Sequence, residues 1–248
     1  MSSPSPATAL ERRIDQIAPW LGSALAALCL AYAWLVVTAP IDSVQGVIQK
    51  ILYVHPPLAY GAYLGFVVTA VSGFVYLWKG REGADQLAVA GAEVGVLFCT
   101  LMIVTGPIWA RGTWGKWWSW DPRLTVTLLL WFVYLAYLLL RSFGEGGERT
   151  ARFAAVYGIV GVILIPLNYY VIEIFDNRSM HPENLERGSL GEGMGWPFLV
   201  ANVTLFVAFV YLLLVRWQVE HLRTREAIRL RDEALAEGPS EAAEEDLR

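Results

Sequence analysis

The chain of 248 residues holds three histidines, and two of them share a setting. His55 sits in Tyr53, Val54, His55, Pro56, Pro57, and His181 in Ser179, Met180, His181, Pro182, Glu183, so a proline follows each. Proline disfavours helical geometry in the residue before it, and both histidines are expected in extended backbone. Between them lie Trp109, Trp114, Trp117, Trp118 and Trp120, closed by Asp121 and interleaved with Gly112 and Gly115. Aromatic surface at that density is costly to leave in water. It points to lipid headgroups or to a large planar ligand.

Imidazole is a standard axial ligand of haem iron, and two can hold one iron from opposite faces. Indole rings stack on a porphyrin, and Arg111, Lys116 and Arg123 can pair with its propionates. Zinc fits less well, because three or four close ligands are needed and Asp121, Glu183 and Glu186 make no recognisable pattern. No Ser/His/Asp or Cys/His arrangement supports nucleophilic catalysis, and no catalytic residue is assigned. Cys29 and Cys99 share no short spacing and read as small buried hydrophobes. His221, among charged residues, reads as a solvated surface group.

The elements that carry these residues follow from composition. Hydrophobic residues make up 56% of the chain and charged residues 17%, well below the quarter usual in soluble domains. Apolar runs of membrane-crossing length predict an all-α polytopic membrane protein with six transmembrane helices, at about 19–39, 57–78, 86–107, 124–140, 153–172 and 196–215. The run after the polar first 18 residues is read as a retained span, not a cleaved signal.

Basic residues set the expected orientation. Arg12, Arg13, Lys79, Arg81, Arg141, Arg149, Arg152, Arg216, Arg223, Arg225, Arg229 and Arg231 collect on one side. Lys50, Arg111, Lys116, Arg123, Arg178 and Arg187 collect on the other. The richer side is expected to be cytoplasmic, with both termini there. The segments 40–56, 108–123 and 173–195 then face outward, with both proline-flanked histidines and the tryptophan segment. The six-helix domain spans 1–236, with an outer tryptophan-rich loop at 108–123 and a charged helical extension at 216–236; residues 237–248 read as an acidic, disordered tail. Trp20, Trp34, Trp78, Trp131, Trp196 and Trp217 need only an interfacial belt or packing.

The stretch from Thr105 to Thr125, with Trp114, Trp117, Trp118, Trp120 and Asp121 at its centre, resembles the tryptophan-rich WWD signature of haem-handling proteins in cytochrome c maturation. Six spans and an outer histidine on each side of the signature make the chain most similar to the CcmC family of the system I pathway. The resemblance covers nearly all of the chain except its acidic tail. It implies a protein of the bacterial inner membrane that holds haem b non-covalently, in transit, at the outer face and presents it to a periplasmic haem chaperone. It also implies a small single-span subunit and ABC transporter subunits as partners, with His55 and His181 matching the proposed axial ligands. Here Pro56 follows His55 directly, and Ile174 and Phe175 stand where the family carries a tryptophan pair. No nucleic-acid partner is expected.

Glu93, within the third span, is either a functional carboxylate or one hydrogen-bonded to Asn168 or Asn202 between closely packed helices. Three rival readings remain. A cytochrome b-like carrier would place histidine pairs inside the spans, and this chain has none there. A larger haem synthetase would be longer or carry more histidines. A non-haem small-molecule transporter would show broken helices, for which Pro166 and Asn168 are a hint.

Overall fold

The structure is a computed structural model that describes residues 9–144, 147–175, 179–182 and 190–237. Arg178, Glu183, Glu186, Arg187 and residues 238–248 of the tail lie outside the described residues. The described residues form helices α1 (Ala9–Thr38), α2 (His55–Lys79), α3 (Glu82–Trp114), α4 (Pro122–Phe143), α5 (Gly147–Gly161), α6 (Leu164–Ile174) and α7 (Gly195–Glu237), with a short 3-10 helix at Val47–Tyr53 before α2. They make six segments long and apolar enough to cross a membrane, α5 and α6 together forming the fifth.

The most extensive helix contact is α2 on α3, and it depends on glycine. A methyl group on Gly65 would lie 2.6 Å from Gly95 Cα and 2.8 Å from the Gly91 carbonyl oxygen. Gly61/Gly65 and Gly91/Gly95 are two small-xxx-small pairs that let the backbones approach where apolar burial gives little drive in lipid. Around this seam Phe66 stacks on Tyr134 at 3.8 Å between centroids, and Phe98 meets Phe209 edge to face. α1 packs on α7 at the periphery and exposes Trp20 and Trp34. Its Cys29 is exposed too, so only Cys99 is the buried hydrophobe expected.

Two boundaries differ from expectation. Pro107 does not end the third span: α3 runs on to Trp114 and stops at Gly115, whose φ of 72° is left-handed. Trp109, Arg111 and Trp114 therefore stand on helix, and the loop is only the stretch from Gly115 to Asp121. A proline inside a span is tolerated because neighbouring groups satisfy the freed carbonyls. The fifth span, read as continuous, breaks at Val162 and Ile163. Pro166 has no N–H and crowds the carbonyl four residues back. The chain tightens to three-residue bonds, Ile163 N donating to Val160 O and Ile165 N to Val162 O, while Tyr134 Oη donates to Gly158 O at 2.9 Å.

At the end away from the histidines, polar groups tie α7 to its neighbours. Arg216 donates to Glu93, so this carboxylate has a cation partner and neither amide named above. Asn168 Nδ2 instead donates to Thr127 Oγ1 at 2.7 Å, and Asn202 Nδ2 to Phe198 O at 2.8 Å. Trp217 Nε1 donates to Gly83 O at 3.1 Å, and Gln218 to Asp15 at 2.7 Å. His221 is half-buried with Nδ1 3.0 Å from Gln86 Oε1, so it is a packed group and not a solvated one. Arg141 pairs with Asp85 at 2.8 Å.

Candidate functional site

His55 opens α2, in the helical geometry its proline was expected to exclude. The 3-10 helix explains this. It delivers Val54 already in right-handed conformation, with Val54 N on Ile51 O and Leu58 N on Val54 O. Pro56 and Pro57 then fall in the first turn, where N–H groups have no acceptor within the helix and proline costs least. His181 lies outside any helix.

The two imidazoles meet, with centroids 6.4 Å apart and planes inclined by 39°. His55 Nδ1 is 3.0 Å from Thr105 Oγ1, and that hydroxyl donates to the Leu101 and Met102 carbonyls. The hydroxyl proton is thus committed, Nδ1–H is the donor, and Nε2 keeps its lone pair. His181 Nδ1 is 2.8 Å from Pro182 O, and Arg123 Nη1 stands 3.5 Å from the same nitrogen. The shorter contact governs, placing the proton on Nδ1 and the lone pair again on Nε2. Burial pushes the His181 imidazole down to about 4; the Pro182 carbonyl opposes that shift and the Arg123 charge adds to it. The ring is neutral at pH 7.

Two cavities adjoin this pair. The larger, about 250 Å³, runs from both histidines along the end of α3, past Trp109, Trp114 and Trp118. The smaller, about 180 Å³, runs from both histidines to Tyr60, Tyr63, Tyr169 and Arg123. Trp109 meets His55 edge to face at 5.9 Å and donates to Gln45 Oε1 at 2.9 Å. Gly106 is the floor under His55: a methyl there would lie 3.3 Å from its Cε1. Trp118 Nε1 is buried with no acceptor among the described residues.

The remaining predicted residues separate by place. Trp117 and Trp120 are exposed, 61% and 76%, and line neither cavity. Lys116 is exposed, and Arg111 donates to Gly115 O across the end of its own helix. Asp121 is buried below the loop as the N-cap of α4. Arg123 Nη2 donates to Tyr169 O at 3.0 Å. Sequence reasoning missed Thr105, Gln45, Gly106 and the three tyrosines. Thr105 and Gly106 open the same Trp-rich stretch, so proximity to it was the available signal; Gln45, 64 residues from its partner Trp109, had none.

The pair of imidazoles, with a cavity on either side and indole walls, suits a flat ligand that carries a metal open to nitrogen ligands.

Comparison with known proteins bears on the choice of ligand. The profile of the family described as "Heme exporter protein C" (CcmC) matches residues 2–231. The chain is 33% identical over 204 residues to Heme exporter protein C of Haemophilus influenzae, covering 80% of this chain and 82% of that one. It is 32% identical to that of Paracoccus denitrificans over 88% of this chain and 92% of the other. It is 34% identical to that of Escherichia coli K12 over 75% and 79%.

Proposed function

The chain belongs to the Heme exporter protein C family, and from that premise we propose that it holds haem b between His55 and His181 at the outer face of the bacterial inner membrane, in transit to a periplasmic haem chaperone for cytochrome c maturation. His55 and His181 would hold the haem through their imidazoles, and bound haem would supply an iron that takes nitrogen ligands. Thr105 and the Pro182 carbonyl hold each ring in the tautomer that leaves Nε2 unprotonated. Trp109, Trp114 and Trp118 wall one edge of the ligand and exclude water. Arg123 supplies a cation on the opposite edge for a propionate, and Arg111 and Lys116 are the further cations of this end. Trp117 and Trp120, exposed and off the cavities, are the surface the chaperone meets.

Both termini are cytoplasmic in this reading. The other partners are a small single-span subunit and ABC transporter subunits of the same complex. The chain binds and hands over its cargo and forms no bond by itself, so the role is transfer, not catalysis. The observation that carries the proposal is the meeting of the two imidazoles, 6.4 Å between ring centroids, with a cavity on each side.

The test is the absorption spectrum of the purified protein. A Soret band is expected in the parent chain, with a changed position and reduced intensity in both His55→Ala and His181→Ala. A normal spectrum in both variants overturns the axial assignment. Absence of any Soret band in the haem-supplemented parent overturns haem binding and leaves the small-molecule transporter reading.

A further inference from the structure

The aspartate that closes the tryptophan signature does not face either cavity. Asp121 is 3% exposed and lines neither. Its two oxygens are taken by four donors. Oδ1 accepts from Arg123 N at 2.9 Å and from Ser179 Oγ at 3.1 Å. Oδ2 accepts from Met180 N at 2.6 Å and from His181 N at 3.4 Å. An ionised carboxylate has about four lone-pair sites, so this one has none left for a ligand.

The bonds divide into two sets. The Arg123 bond is an N-cap, which any short hydroxyl or carboxyl side chain provides for the first turn of α4. The bonds to Ser179, Met180 and His181 cross nearly sixty residues and fasten the segment 179–182 to the start of α4. Ser179 Oγ adds a contact of 3.2 Å to the His181 amide. His181 sits on this segment, whereas His55 sits on a helix of 25 residues. One ligand stands on a rigid element and the other on a strap held by a carboxylate.

We propose that Asp121 is the positioning residue for His181: its carboxylate clasps the backbone of Met180 and His181 so that this imidazole faces His55, and it makes no contact with the cofactor. The proposal rests on the haem reading above for its spectroscopic arm but not for its backbone arm. Opening the clasp withdraws one axial ligand while His55 stays in place, so the clasp also sets how readily the cargo is given up.

Two variants separate the cap from the clasp. Asp121→Ser keeps an acceptor for the Arg123 amide but is too short to bridge to Met180. Asp121→Asn puts an NH2 group where the two amides need an acceptor. In the ligand-free protein, amide hydrogen exchange at Met180 and His181 is expected to rise about tenfold in both variants, the loss of a charge-assisted bond. In the haem-loaded protein, each is expected to show the spectrum of His181→Ala, and added imidazole is expected to restore the parent spectrum. Asp121→Ser combined with His181→Ala is expected to retain as much haem as His181→Ala alone.

Unchanged exchange at Met180 and His181 overturns the clasp. A parent-like spectrum in Asp121→Ser does the same. A double variant that loses more haem than His181→Ala also overturns it, by showing that Asp121 acts on the cofactor directly. If the parent shows no Soret band the haem reading falls, and the exchange measurement alone then decides the clasp.

Discussion

At the end of the bundle away from the histidines, α7 is fastened to α3 by Arg216 on Glu93, Trp217 on Gly83 and His221 on Gln86, while Arg141 on Asp85 joins α4 to α3. At the histidine end the ties run from Lys50, Arg111 and Arg123 to backbone carbonyls and from backbone amides to Asp42 and Asp121. The buried Trp118 N–H lacks a partner among the described residues, and Trp117 and Trp120 face outward. Satisfied polar groups make the first end a brace. Unsatisfied ones leave the second able to accept a ligand, because a lone pair already used inside the fold has nothing to offer outside it.

This contrast makes predictions. The largest effect is expected from Glu93→Ala, which leaves the half-buried Arg216 with only Glu220 at 3.8 Å and costs about 1–2 kcal/mol of stability. Thermal unfolding in detergent should show it, with the haem spectrum of the folded fraction unchanged. A shifted Soret band instead would mean that the two ends are coupled. Next is Thr105→Val, which keeps the shape but removes the acceptor of His55 Nδ1–H. Haem affinity should fall about tenfold, as for other second-shell partners of metal ligands, with unfolding little affected. A titration with haem checks this.

The smallest effect is expected from pH. His181 titrates near 4 in the folded chain, below the 6.5 of a hydrated imidazole, so the unfolded chain takes up the proton first as pH falls. The stability of the closed segment is therefore full above about pH 6.5 and is lost as pH drops toward 4. In the ligand-free protein the His181 ring should therefore stay neutral in NMR spectra between pH 7.5 and 5.5, although a hydrated imidazole would be about nine-tenths protonated at the lower value. A spectral transition centred near 6.5 would count against a desolvated His181.

The six spans and the pair of histidines could be read from the chain, but the brace could not: Glu93 is expected on Asn168 or Asn202 and His221 in solvent, whereas they meet Arg216 and Gln86. Six apolar runs are legible because bilayer thickness imposes a length that few other constraints imitate. The histidines stood out because a proline and the same side of the membrane marked both. The break at Val162 was only hinted at by Pro166, since lipid tolerates proline within spans. Pro107, in α3, shows the opposite outcome for the same residue type. The end of α3 was set by a positive-φ glycine, and the residues after Pro107 looked like loop because they are polar and aromatic. The N-cap at Asp121 went unread, because the residue reads only as the close of the aromatic segment and the span as beginning at 124. Its clasp on Met180 was illegible, because nothing local records a partner nearly sixty residues away.

The basic residues of the histidine end have one further consequence. Lys50 Nζ donates to the Val36 and Val37 carbonyls at the end of α1, Arg111 to Gly115 O, and Arg123 to Tyr169 O. Lys50 and Arg111 thus lie against the negative pole of a helix, which offsets about half a charge each. The potential that an approaching anion or lipid headgroup meets there is weaker than a tally of lysines and arginines suggests.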